Sequence, residues 1–174
     1  MLRLIKRSPA FVAGYKEYCQ ELYDRRVVWF RPTDPKTIDD DWFFRTKPWY
    51  DKKEKGLIEG QPVSIHFWAV DGEDFIGEFQ IRTDFPDKVL YDIGSIGYAV
   101  RPSRWGQGYG TEILRQGLVI AGDHGMDRVL LTISEENTVS AHICEKLGGK
   151  WADTVEAFNE AEGHHLLRRY WIEL

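Results

Sequence analysis

The sequence predicts an α/β (α+β) fold: a mixed, mostly antiparallel seven-stranded sheet flanked by helices. Three observations carry that prediction. Two alternating apolar runs, Val63 to Val70 and Phe75 to Arg82, flank Asp71-Gly72-Glu73-Asp74, the pattern of a β-hairpin closed by an Asp-Gly turn. The apolar run that ends at Val100 is followed by a glycine-rich turn, an amphipathic helix and a strand at Arg128 to Ser134. Such a β-α-β crossover places its two strands parallel. Finally, the tally of seven strands and three to four helices, without repeat, low-complexity tract or linker, predicts one domain over residues 1–174.

In chain order, Leu2, Leu4 and Ile5 alternate with Arg3 and Lys6 as a short first strand. Ser8-Pro9 then opens a helix, serine as N-cap and proline in the first turn. Its apolar residues Phe11, Val12, Tyr15, Cys19, Leu22 and Tyr23 recur at helical spacing as far as Arg25-Arg26. Between Val27 and Pro62 four prolines interrupt the pattern. The expectation there is a helix from about Lys36 to Arg45, capped by Thr33 or Asp34, followed by an exposed, charged loop from Lys47 to Gly60. Pro86-Asp87-Lys88 marks a turn, and a strand follows from about Tyr91 to Val100. A helix over residues 109–123 ends before Gly125, which suits a left-handed helix terminus. Asn137 caps a helix from Thr138 to Leu147, stopped by Gly148-Gly149. Lys150 to Phe158 and His164 to Glu173 form a terminal hairpin.

Composition narrows the function classes. A formal net charge of −5 disfavours a general nucleic-acid or anionic-membrane surface. Cys19 and Cys144 have no metal or redox spacing and fit a reducing compartment. The charged start, Met1 to Arg7, does not suit a signal peptide, and no run reaches the ~18 apolar residues of a membrane span. A cytoplasmic protein is expected. His66, His124 and His142 lack ligand-spaced partners, and His164-His165 point to opposite faces of a strand, so no metal site is expected.

The stretch with the most chemistry is Arg101-Pro102-Ser103-Arg104-Trp105-Gly106-Gln107-Gly108-Tyr109-Gly110-Thr111. Its glycines adopt positive φ without a Cβ clash, so backbone N–H groups can converge at a helix N-terminus and meet an anion. A P-loop would need Gly-Lys-Ser/Thr, and here Thr111-Glu112 follows Gly110. A dinucleotide fingerprint needs Gly-x-Gly-x-x-Gly in an early βαβ unit, and both spacing and position differ.

The segment Tyr98 to Gly149 resembles the acetyl-coenzyme A binding core of the GNAT superfamily of N-acetyltransferases. The resemblance rests on Val100-Arg101-Pro102, Trp105-Gly106-Gln107-Gly108-Tyr109-Gly110, Asn137 with Ser140, and Cys144-Glu145-Lys146-Leu147-Gly148-Gly149. The C-terminal Arg168-Arg169-Tyr170-Trp171-Ile172, with Ile96-Gly97-Tyr98, is similar to a subgroup of bacterial predicted acetyltransferases. The resemblance implies direct transfer of acetyl from acetyl-CoA to a primary amine of a small molecule or peptide, in a cleft between parallel strands ending at Val100 and Ser134. Tyr98, Ala99 and Val100 would hold the acyl arm and polarise the thioester. Arg104, Trp105, Gly106, Gln107, Gly108, Tyr109, Gly110 and Thr111 would hold the pyrophosphate, with Asn137 and Ser140 contributing further along. It also implies a possible homodimer. Trp105 stands where the family usually has glutamine or arginine, and Cys144 stands in place of a tyrosine proton donor.

The carboxylates available as general base are Glu78 and Asp92, each also readable as an ordinary strand or turn residue. Cys144 is a candidate proton donor, but its spacing with Ala141 and Leu147 favours a core residue, which leaves water or the substrate itself as the acid. Glu135-Glu136 and the Asp39-Asp40-Asp41 triplet read as solvated, the triplet alternatively as an acidic lip for an amine. Trp42, Trp49 and Tyr50 are candidates for an acceptor pocket or for packing. The absence of a clear base and acid keeps a non-catalytic acyl-CoA-binding module open as the alternative.

Overall fold

The computed structural model of the chain describes residues 1–27, 30, 32–86, 89–159 and 163–174. Strands β1 (Leu2–Lys6), β2 (Ser64–Asp71), β3 (Asp74–Arg82) and β4 (Ile96–Val100) form one antiparallel sheet in that order. Strands β5 (Arg128–Ser134), β6 (Lys150–Asn159) and β7 (Gly163–Glu173) form a second, ordered β5-β7-β6. The expected single seven-stranded sheet is therefore two. Among the described residues no ladder joins β4 to β5. They meet at a clasp, where Ser95 N donates to Leu130 O (2.7 Å) and Leu130 N donates to Ser95 Oγ (2.5 Å). Beyond that clasp lies a cleft.

Helix α1 (Val12–Asp24) and helix α2 (Trp42–Glu54) cover one face of the first sheet, and α3 (Tyr109–Asp123) covers the other. A fourth helix, α4 (Thr138–Lys146), packs beside β5. The α3 face is aliphatic, with Ile65, Ala69, Ile81, Ile113 and Leu114 buried around Phe79. A Cβ on Gly117 would lie 2.2 Å from the Phe79 ring, so glycine is what lets α3 seat this closely. The opposite face is aromatic: Tyr15 stacks on both Trp42 and Trp68, with ring centroids 5.0 and 5.1 Å apart.

Ser8 caps a short 3-10 turn at Pro9–Phe11 that leads into α1, as its sequence suggests. The next helix is displaced from expectation. Asp34 caps only a 3-10 turn at Pro35–Thr37, and α2 starts later and runs through the stretch expected to be loop. Proline inside a helix costs ~3 kcal/mol, but Pro48 is exposed while Trp42 and Phe43 anchor the helix in the aromatic core. Tertiary burial overrides local preference here. Strand β4 starts at Ile96 rather than near Tyr91, because Val89–Ile93 forms a π-helical turn. Asp92 lies on that turn, not in the strand. The turn expected at Pro86-Asp87-Lys88 falls partly outside the described residues.

Candidate active site

The glycine loop follows β4 through a 3-10 turn at Pro102–Arg104. Gly106 and Gly108 have φ of +75° and +83°, and nothing lies within 4 Å of where a Cβ on either would sit. Gly108 is the N-cap of α3 without a side-chain cap. The first-turn N–H groups of Tyr109, Gly110 and Thr111 lie at the positive end of a 15-residue helix, next to the open space at Gly106 and Gly108. The arrangement fits a phosphate bound through backbone.

The side chains around the loop have other employment. Trp105 Nε1 donates to Val100 O at 2.7 Å, closing the strand end onto the loop. Arg104 pairs with Asp74 at 2.7 Å and Tyr109 donates to Asp71 at 3.0 Å, so both reach back to the β2–β3 hairpin. Gln107 Nε2 donates to Ser103 O at 3.4 Å. Arg104, Trp105, Gln107 and Tyr109 thus shape the loop; its anion-binding groups are backbone. Glu21 on α1, which the sequence did not single out, accepts from Ser103 N at 2.8 Å and from the Arg101 guanidinium. Burial pushes the Glu21 carboxyl up, but these hydrogen bonds outweigh it and hold it below its ordinary range.

Behind the clasp the cleft encloses about 250 Å³. Ile96, Gly97 and Tyr98 line it from β4, Leu131 to Ser134 from β5, and Asn137 and Ser140 from α4. Asn137 Oδ1 accepts from Ser140 N at 3.2 Å, so its side chain caps α4 while it lines the cleft. The Tyr98 and Ser140 hydroxyls lie 3.1 Å apart, and burial pushes the Tyr98 phenol up to about 12. Ala99 and Val100 do not line this cleft: Ala99 packs against the aromatic core, and the Val100 carbonyl holds Trp105.

A second cavity of about 150 Å³ abuts this cleft and shares Phe30, Gln80 and Gly97 with it. It is lined further by Tyr15, Thr33, Tyr50, His66 and Glu78. Here the Glu78 carboxyl is pushed up to about 7 by burial, against the pull of the Arg7 guanidinium and of Tyr18 and Trp68. Tyr18 Oη and Trp68 Nε1 are buried beside it. Arg7 is caged by aromatic rings, 3.5 Å from the Tyr50 centroid, and donates to Thr46 Oγ1 at 3.3 Å. His66 is pushed down to about 3, first by burial and then by Lys53, Arg7, Arg82 and Lys6, and stays neutral. A carboxyl titrating near neutrality in a small aromatic cavity can take a proton from an amine.

Of the other candidates, Asp92 lines the larger cleft, and its Oδ1 is buried without a partner. Cys144 takes the core alternative: it is fully buried in the aliphatic core with its thiol pushed up to about 12 by burial, and it lines neither cavity. A Cβ on Gly149 would sit 2.4 Å from its sulfur, so the thiol is packed against the turn that ends α4. Tyr50 lines the smaller cavity, while Trp42 is core and Trp49 packs on Tyr50 at the surface. Asp39 is engaged with Arg45 at 3.0 Å, and Glu135 with Arg168 at 3.2 Å. The residues missed by sequence reading, Arg7, Tyr15, Tyr18, His66 and Trp68, come from three segments and carry no motif.

The family profile described as an Acetyltransferase (GNAT) domain matches residues 7–150 of the chain. No curated protein sequence matches it. Among solved structures, the fold is similar to an acetyltransferase of the GNAT family from Streptococcus pneumoniae, at 18% identity over 100% of both chains and a TM-score of 0.67. It is similar to Mycobacterium smegmatis RimJ in complex with CoA-disulfide, at 18% identity and a TM-score of 0.75, covering 99% of this chain and 81% of that one. A third, yncA from Salmonella typhimurium with its cofactor acetyl-CoA, has 15% identity, 99% and 94% coverage and a TM-score of 0.67.

Proposed function

Because the chain belongs to the GNAT acetyltransferase family, we propose that it transfers acetyl from acetyl-CoA directly to a primary amine of a small molecule or peptide in the cytoplasm. The observation that carries the acceptor half of this reading is Glu78, set in a small cavity that opens on the β4–β5 cleft. Acetyl-CoA supplies an activated acyl group on a thioester. The backbone N–H groups of residues 106–111 and the α3 dipole suit its pyrophosphate. Gly97 and Tyr98 on the free edge of β4 suit the acyl arm, where a backbone donor meets the developing oxyanion.

An ammonium group is not nucleophilic, so the acceptor must first lose a proton. Glu78 takes it, directly or through a water, and the neutral amine attacks the acetyl carbonyl. The hydroxyl of Tyr98, held by Ser140, is the proton donor the cleft offers to the leaving thiolate. Because the base form of Glu78 is needed, kcat/KM rises as pH rises through about 7.

The test pairs calorimetry with acetyl-CoA and thiol release over an amine panel. Binding with release on some amines is expected, and Glu78→Gln should cut kcat/KM by about 10²–10³-fold while acetyl-CoA affinity holds. Binding without release on any amine would favour a non-catalytic acyl-CoA-binding module instead.

A further inference from the structure

The floor of the acceptor side is a strip of three side-chain rows laid out by strand register. Trp68 pairs with Glu78, His66 with Gln80, and Ser64 with Arg82. Residues directly opposite in an antiparallel pair share a face, so Glu78, Gln80 and Arg82 follow one another along β3 beneath α1 and α2. The strip is graded in charge. A carboxyl stands at one end, a neutral imidazole and an amide in the middle, and a guanidinium at the other. Glu78 and Arg82 are four residues apart, roughly 13 Å of strand.

Arg82 is the unusual member. It lines the larger cleft, where burial lowers its basicity, yet among the described residues it closes no ion pair. Its Nη1 donates to Ile93 O and Gly94 O at 3.3 and 3.1 Å. A guanidinium has five N–H donors, which leaves Nε and Nη2 without a partner among the described residues. Lys53 on α2 lies close enough to feel Arg82, and His66 between them feels Lys53, Arg7, Arg82 and Lys6 together. Asp92 lines the same cleft and opposes them, but it stands beyond ion-pair distance of Arg82. In a protein of net charge −5 this is a local concentration of cations around a site for an amine. His66 Nε2, buried and unpartnered, adds a polar group in the middle of the strip.

We propose that the acceptor is an amine whose far end carries an anionic group, carboxylate or phosphate, with the amine at Glu78 and the anion at Arg82. This rests on the transferase reading above. The same cations repel a second ammonium, so polyamines are disfavoured. Gln80 and His66 offer hydrogen bonds to the linking segment, and the aromatic rings of Tyr15 and Tyr50 cover it.

A matched six-carbon series tests the idea with the full chain and acetyl-CoA: ε-aminocaproate, aminohexyl phosphate, hexylamine and hexamethylenediamine, read as thiol release. The expected order in kcat/KM places the anionic amines above hexylamine, and at least about tenfold above the diamine, which corresponds to ~1.4 kcal/mol. Whichever of the two anionic amines leads names the anion. Arg82→Gln should narrow the anionic-to-diamine ratio to within about threefold. Because that variant also loses its contacts to Ile93 and Gly94, caproate is assayed on the unaltered protein as a competitor of hexylamine, and competitive inhibition is expected. Equal rates across the series, a preference for the diamine, or no inhibition by caproate would overturn the proposal while leaving the transferase standing. Acetyl-CoA binding with no release on any amine would remove the transferase reading, and this one with it.

Discussion

Glu78 combines two physical demands that pull against each other. Its cavity withholds water, which raises the carboxyl to about 7 and makes it a usable base. The same burial costs stability once the group ionises. A carboxyl whose folded pKa lies above its unfolded one contributes stability that is present below the unfolded value of ~4.3 and lost as pH rises through the folded value. Glu78→Gln is therefore expected to stabilise the fold at pH ~8 by on the order of 2 kcal/mol, seen as a higher thermal midpoint, and to change little at pH ~4. Thermal unfolding at the two pH values measures this, and an equal change at both would mean that burial does not tune the carboxyl. Trp105 resolves differently. Its departure from the family pattern is explained by the bond from its indole to Val100 O, which makes it a brace for the strand end.

At the scale of elements, the strand–loop–helix unit from β4 to α3 performs one task with its backbone. Gly108 takes φ +83° and leaves open space at the start of α3. An aspartate there would meet left-handed strain of ~1 kcal/mol and would set a carboxylate against the incoming phosphates. Gly108→Asp is expected to weaken acetyl-CoA binding at least about tenfold by calorimetry; unchanged affinity would place the anion site elsewhere. The π-helical turn before β4 has a matching role at the other end of the strand. It shortens β4 to five residues and brings Ser95 to Leu130, so the cleft opens immediately past the clasp.

Across the whole molecule, the glycine loop is tied to distant elements by ion pairs and hydrogen bonds. Glu21 on α1 holds Arg101 and Ser103 at a separation of 82 residues to the latter. Bonds to a charged partner are worth ~1.5–3 kcal/mol each when a buried group would otherwise be stranded, and the Arg101 side chain is only 12% exposed. Glu21→Ala should lower the thermal midpoint by several degrees and weaken acetyl-CoA binding, measured by unfolding and calorimetry on the same sample. Loss of stability with unchanged affinity would confine Glu21 to a structural role. With its folded pKa depressed, the Glu21 contribution is present above its unfolded pKa and is lost as pH falls through the folded one. Stability is thus expected to decline on both sides of a weakly acidic optimum.

The parts legible in the sequence are those set by local rules. Residues 96–134 and the caps at Ser8 and Asn137 are governed by hydrophobic period, glycine conformation and side-chain capping, all of which act over a few neighbours. The glycine loop at the start of α3 was readable for the same reason. The cavity around Glu78 was not, because it depends on register. The Asp71–Asp74 turn pairs Val70 with Phe75, and continuing that count would set Glu78 opposite Phe67. A bulge between Ala69 and Val70 shifts the pairing by one residue and sets Glu78 opposite Trp68 and Gln80 opposite His66. One irregular residue thereby aligns the even-numbered side chains of both strands on the face that α1 and α2 roof over. Cys144, with its spacing open to either role, went to the core because the turn at Gly149 closes over its sulfur. Sequence alone determined which segments would be strand, turn and helix around the glycine loop, since those choices are local. The tertiary structure alone decided that the sheet would split and which carboxylate would line the aromatic cavity, since both depend on packing between segments far apart in the chain.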